Sequence, residues 1–313
     1  MTREIIQITN EAQLLELRSH DLTSTAISAL FDVSPYTTRF ELYHAHKNGL
    51  RLPFDENERV RKGKRMEQHA AEEVALSLGA VARSIDWYAR IPEENMGSSF
   101  DYELEFPDGE LVLLELKAVD HFRHKETWID GEAPPHIEIQ VQHQFECADK
   151  YERGYIAAFT GIYDFTLYER KRDREMGAGL RAAANKFWAD VAVGREPSVD
   201  FYRDSRVLDA LYKDAGGEPI DATKDADMDA LIAKHVRLGR DIKAMGEERD
   251  AVKAEIHRKL ENAGGAYTEH GKVVAKWTAG SPGKVITPDM VGTIINARAP
   301  YRQCITKILN EEK

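Results

Sequence analysis

The chain has 313 residues, 42% of them apolar and 31% charged, a composition that excludes a disordered polymer and a membrane bundle. The formal charge of −11 excludes a protein that coats DNA by bulk attraction, because neutralising phosphates takes clustered Lys and Arg. The two cysteines, Cys147 and Cys304, are too few for a zinc ribbon, a disulfide scaffold or a four-cysteine cluster within one chain. No apolar run approaches the ~20 residues that span a bilayer. The start MTREIIQITNEAQ lacks the basic and apolar regions of a secretory signal, so the expectation is a cytoplasmic protein without membrane contact.

In chain order, residues 11–49 read as helical with a break at Ser34-Pro35-Tyr36, and Thr23-Ser24-Thr25 can cap a helix entry before Ala26-Ile27. A basic run, Arg59-Val60-Arg61-Lys62-Gly63-Lys64-Arg65, leads into a second helix. Met66, Ala70, Val74 and Leu78 mark one face of it and Gly79 ends it. Short strand-like runs follow, from Ala80 to Arg83, then FDYELEF and ELVLLELKAV, the last two joined by Pro107-Asp108-Gly109, a hairpin turn by residue type. Residues 136–152 return to helix. GYIAAFTGIYDFTLYER holds two more strands, and LRAAANKFWADVAVG is an amphipathic helix ending at Gly194. The expected organisation is an α/β domain over 1–213, an acidic linker over 214–228, and a C-terminal arm over 229–313. In that arm a long helix (229–262) carries an apolar stripe from Leu231 to Leu260, and a hairpin turns at His270-Gly271.

Chemistry concentrates in Asp101 on one strand and Glu115-Leu116-Lys117 on the next. Residues two apart on a strand share a face, so Glu115 and Lys117 project together with Leu113 and Val119. Leu114, Leu116 and Ala118 take the other face. Charges inside an apolar strand are costly unless paired or metal-bound. Two carboxylates and an ammonium suit phosphodiester hydrolysis: oxygen ligands favour Mg²⁺, with Mn²⁺ as substitute, and the lysine can orient or deprotonate the attacking water and offset developing charge. An edge-strand ion pair is the plain alternative. Four histidines (His121, His124, His136, His143) read as polar contacts near a groove, and Phe122 and Trp128 either stack on bases or pack beneath a loop.

Further pieces fall in order around that pair. Gly63-Lys64-Arg65-Met66-Glu67 lies upstream and a helix with Gln140-Val141-Gln142 lies downstream. This series, followed by GYIAAFTG and KFWADVAVGREP, resembles the YqaJ-type viral recombinases and the lambda-exonuclease-like branch of the PD-(D/E)xK nucleases over about residues 15–200. The resemblance implies a restriction-endonuclease-like core: a central mixed sheet flanked by helices. It implies Asp101, Glu115 and Glu67 as metal ligands, Lys117 as the catalytic lysine and Gln140 as the residue that positions them. It also implies a 5′-phosphate contact by Arg18 and Thr25 (where the family more often has serine); separately, the basic run offers Arg61, Lys64 and Arg65 as DNA contacts, with a solvated helix start as the plain alternative. The implied activity is Mg²⁺-dependent, 5′→3′ digestion of duplex DNA ends that makes single strands for recombination. A ring-like trimer or tetramer and a single-strand annealing partner come with the family. The alternatives are a restriction-like endonuclease of the same superfamily and a catalytically silent DNA-binding scaffold.

Overall fold

The computed structural model describes residues 2–52, 58–161, 164–213, 218, 220–269, 271–278 and 301–308, with the backbone alone for 58–62, 64, 275–278 and 301–308. The chain divides into two compact units, residues 1–216 and 217–313.

The first unit is built on a five-stranded mixed sheet. Its strands are β3 (Val81–Ser84), β6 (Tyr102–Glu105), β7 (Leu111–Ala118), β8 (Arg153–Phe159) and β9 (Phe165–Lys171), in the spatial order β3-β6-β7-β8-β9. The β6–β7 hairpin turns where the Pro-Asp-Gly tripeptide predicts it, with Gly109 at φ 87° and its amide donating to the Phe106 carbonyl at 2.9 Å. Only the β7–β8 pair is parallel among these neighbours. A parallel pair needs a crossover, here through α4 (His121–Thr127) and α5 (Pro135–Ala148).

Alternation along β7 sends its side chains into two separate cores. Leu113 joins a cluster with Val141 and Phe145 of α5 and with Leu180, Ala184 and Phe187 of α6 (Arg174–Val193), and Val119 packs against it. Val112 and Leu114 join Ala71, Val74 and Ala75 of α3 (Glu58–Leu78), with Leu116 packed against them. The sheet is therefore a middle layer between α3 on one face and α5 and α6 on the other, the expected α/β arrangement of a central mixed sheet flanked by helices. Val112, Leu113 and Leu114 are fully buried, each stabilising the fold by roughly 1.5–3 kcal/mol, which offsets the cost of a buried charge one residue on. Gly154 is needed where β8 approaches its neighbours: a Cβ there meets the Leu113 carbonyl at 3.0 Å and Phe145 Cζ at 3.1 Å.

Several sequence expectations change. The 11–49 region is not one broken helix. It holds α1 (Glu11–His20), the two-residue strand β2 (Leu22–Thr23), a 3₁₀ turn (Ile27–Phe31) and α2 (Arg39–Lys47). Leu22 pairs in parallel with Met96, and Asp32 at φ 56° stops the 3₁₀ turn. A second sheet is new: β1 (Glu4–Gln7), β4 (Trp87–Ile91), β5 (Met96–Ser98) and β2, in the order β1-β4-β5-β2. On α3 the buried face is Ala70, Ala71, Val74 and Ala75, while Met66 is exposed. A last short helix, α7 (Ser205–Leu211), follows α6.

In the second unit α8 runs from Ala226 to Leu260, starting inside the expected linker because the Asp225 side chain caps it, accepting from the Met228 amide at 2.9 Å. Its predicted apolar stripe lies open: Leu231, Leu238, Ile242, Met245 and Val252 are exposed, and Leu260 is buried. The expected hairpin is a three-stranded antiparallel sheet of β10 (Gly265–Tyr267), β11 (Gly271–Thr278) and β12 (Tyr301–Ile308); His270 lies outside the described residues. Among the described residues no helix is long and apolar enough to cross a membrane.

Candidate active site

The site forms where β6 stops short of β7. The β6–β7 ladder reaches Tyr102↔Leu114, so one further step sets Asp101 opposite Glu115. Beyond that point β7 pairs with β8 alone, through Glu115↔Ile156 and Lys117↔Ala158. Asp101 fills the gap with its side chain, and its Oδ2 accepts the Leu116 amide at 2.9 Å. One backbone bond thus holds the Asp101 carboxylate at the peptide between Glu115 and Lys117.

Glu115 is 2% exposed and is gripped by three donors. Lys117 Nζ and Gln140 Nε2 reach its Oε1 at 2.6 and 2.5 Å, and Gln144 Nε2 reaches its Oε2 at 2.7 Å. Lys117 Nζ also donates to Gln140 Oε1 at 3.0 Å. Gln140 and Gln144 are one helical turn apart on α5, on the same face, so the helix presents an amide pair to the strand. A carboxylate has about four acceptor positions, which leaves Glu115 capacity for one more contact.

A cavity of about 290 Å³ opens over this group, lined by Arg18, Thr23, Ser24, Thr25, Glu67, Ser99, Asp101, Glu115, Leu116, Lys117, Gln140 and Gln144. Seven residues expected from the sequence (Arg18, Thr25, Glu67, Asp101, Glu115, Lys117 and Gln140) share this one wall. Arg18 leans on Ser99, its Nη2 donating to Ser99 Oγ at 2.5 Å. Thr23 Oγ1 and Thr25 Oγ1 stand 3.3 Å apart, and the former accepts the Ala26 amide at 3.3 Å, the turn entry its residue type suggests.

Electrostatics follow from the crowding of like charges. Burial pushes the Asp101 carboxyl up to about 8, the Glu115 charge adds to it, and Lys117 and the Leu116 amide pull the other way. Burial works to discharge Lys117, but Glu115 and Asp101 outweigh it and hold its pKa above the ordinary lysine value. A pair of acidic groups competing for one ammonium is a place where a divalent cation relieves repulsion, and its donors are all oxygens, which suits Mg²⁺ or Mn²⁺. Among the described residues no group of three or more His, Cys, Asp or Glu converges on a single point fit for a metal. Glu67 lines the same cavity, and its charge adds to the upward push on Asp101.

The other sequence candidates sort as follows. The side chains of Arg61 and Lys64 lie outside the described residues, and Arg65 is exposed on α3. Gln142 points away from the cavity, donating to the Lys171 carbonyl at 2.9 Å and accepting the Asp173 amide at 2.8 Å. His143 is fully buried rather than in a groove, and burial pushes its pKa down to about 3. Trp128 is buried against Tyr168 at 4.8 Å between ring centres, so packing accounts for it, whereas Phe122 is exposed. Sequence reading missed Gln144 and Ser99. The available signal for Gln144 was its four-residue spacing from Gln140.

Fold and site together define a mixed α/β core with two carboxylates, an ammonium and two amides gathered at one strand edge. Residues 13–151 match the model of the YqaJ-like viral recombinase domain. Among solved structures the chain is similar to an alkaline exonuclease, LHK-Exo, from Laribacter hongkongensis. The complex of LHK-Exo with dAMP is 17% identical with a TM-score of 0.49, over 64% of this chain and 98% of that one; another structure of the same exonuclease is 17% identical with a TM-score of 0.48, over 63% and 99%. A phage-related exonuclease from Haemophilus somnus 129PT is 16% identical with a TM-score of 0.39, over 60% and 90%. No curated protein matches the chain.

Proposed function

We propose that this protein is a Mg²⁺-dependent DNA exonuclease that digests duplex ends 5′→3′ in the cytoplasm and leaves single strands for recombination. The observation that carries the reading is the convergence of Asp101, Glu115 and Lys117 at the edge of β7, with the Asp101 carboxylate on the Leu116 amide at 2.9 Å and the Lys117 ammonium on Glu115 at 2.6 Å. Asp101 and Glu115 would hold the cation, and Glu67 would add a further carboxylate to its surroundings. When bound, that ion polarises the phosphoryl oxygen and lowers the pKa of water beside it.

The chain's own groups do the rest. Lys117, kept charged by its two carboxylate neighbours, orients the attacking water and offsets the charge that builds on the phosphoryl oxygens. Gln140 and Gln144 lock the Glu115 rotamer so that the ligand oxygens stay in place. Arg18 and Thr25, which line the same cavity, hold the terminal phosphate. Arg61, Lys64 and Arg65 contact the duplex backbone. A ring of identical chains and an annealing protein complete the expected assembly.

The test is digestion of a linear duplex bearing a 5′-phosphate or a 5′-hydroxyl, beside covalently closed plasmid, with Mg²⁺ or with EDTA. The expected result is Mg²⁺-dependent loss of the linear DNA, faster with the phosphate, and an intact plasmid. Nicking or linearisation of the plasmid identifies an endonuclease instead.

A further inference from the structure

Tyr36 is 81% exposed, yet its backbone is held on both sides. The buried Ser34 accepts the Tyr36 and Thr37 amides on Oγ at 3.3 and 3.2 Å. Arg203 Nη2 donates to the carbonyls of Ser34 at 2.6 Å and Thr37 at 3.2 Å. Next in the chain, Thr38 donates to the buried Asp204 at 2.5 Å. An exposed aromatic is ordinary by itself; the direction of this one is not. Its ring meets His136 edge-on, centroids 5.8 Å apart and planes at 81°. His136 lies one turn ahead of Gln140 and two ahead of Gln144 on α5, so it extends the row of side chains that grips Glu115. Burial, and then the charges of Lys117 and Arg123, lower the His136 pKa, and Tyr36 is among the groups acting on Lys117. Both rings thus stand within electrostatic reach of the site's ammonium without lining its cavity.

We propose that Tyr36 and His136 form a nucleobase-stacking subsite beside the Asp101–Glu115–Lys117 site, holding the base of a nucleotide that adjoins the scissile phosphate. This rests on the nuclease reading above. The turn presents the phenol ring in a fixed place, so little conformational freedom is lost when a base settles on it. The neutral imidazole braces the ring from the side. Every base has a π-face, so such a subsite is tolerant of sequence while still registering whether a base is present.

The experiment measures digestion of linear duplexes by the full chain with Mg²⁺. The duplexes carry either ordinary nucleotides or abasic analogues at the first two positions of both strands, and the enzymes are wild type, Tyr36→Ala and Tyr36→Phe. Wild type is expected to lose about tenfold in kcat/KM on the abasic ends, the order of one base–aromatic stack. Tyr36→Ala loses a similar factor on ordinary ends and almost nothing further on abasic ones, and Tyr36→Phe restores the discrimination. Equal discrimination by wild type and Tyr36→Ala overturns the subsite while leaving the nuclease reading intact. Wild type that digests no duplex overturns the nuclease reading and the subsite with it.

Discussion

Strand β7 and helix α8 are the two segments whose apolar pattern is most regular, and they put it to opposite use. The eight residues of β7 sit between two cores; their two charged members bond each other and the glutamines of α5, and the residue before β6 bonds the amide between them. The 35 residues of α8 carry a stripe of apolar side chains that stays exposed, with charges around it. Periodicity locates a face in both. Chemistry arises only where several distant segments arrive at that face and the charge they bring is partly cut off from water.

The sharpest way to break this contrast is to remove a charge from β7. Glu115→Ala, Asp101→Asn and Lys117→Ala are each expected to lower Mg²⁺-dependent digestion of linear DNA about a thousandfold or more, with binding of the duplex retained in a gel-shift assay. Near-normal digestion by all three variants would sink the assignment.

Next in size is the response of the β7-facing helix to acid. His143 is fully buried beside Cys147, with its pKa pushed down from the usual 6.5 to about 3. The unfolded chain binds its proton near pH 6.5 and the folded chain refuses it until about pH 3. Its contribution is therefore complete above 6.5 and is lost as the pH falls through that window, with a slope of about 1.4 kcal/mol per pH unit. Urea titrations of wild type and His143→Gln between pH 4 and 8 should differ by that slope below 6.5 and run parallel above it.

A smaller effect belongs to the helix amide that the sequence did not announce. Gln144→Ala removes the donor to Glu115 Oε2 without removing a metal ligand, and a tenfold to hundredfold loss of activity is expected, about the cost of a supporting contact at a metal site. Apparent Mg²⁺ affinity, read from activity against metal concentration, should weaken with it. An unchanged metal dependence would mean that Gln140 alone orients the carboxylate.

The smallest effect should come from α8. Leu238→Ser on its exposed face is expected to alter thermal stability by about 0.5 kcal/mol or less, as for surface substitutions without special contacts. A drop of several kcal/mol, dependent on protein concentration, would show that another chain covers this face and would end the contrast with β7.

Much of the site was legible because its parts are local. The Pro-Asp-Gly turn joins two runs of strand-forming residues, the two-residue spacing of Glu115 and Lys117 sets their common face, and the glutamines sit at helical intervals. Other features were not legible because they depend on partners far away in sequence. The sheet that binds β1 to β4 and β2 to β5 joins segments some eighty residues apart. It overrides the helical reading of residues 20–30 by drawing Leu22 and Thr23 into a strand. The choice between Gln142 and Gln144 likewise depended on how α5 is rotated against β7, which no spacing rule states.

Short-range rules, acting through backbone stereochemistry and the alternation of side chains, determined the α/β class, the hairpin, and the common face of Glu115 and Lys117. Tertiary structure alone decided that β6 ends one residue early, so that Asp101 replaces a ladder bond with its own carboxylate. It also decided that Glu67, Arg18, Ser99 and Thr25 face the same cavity as the pair. Such convergence results from packing two cores against one sheet, and packing energies depend on the whole set of neighbours rather than on any run of residues.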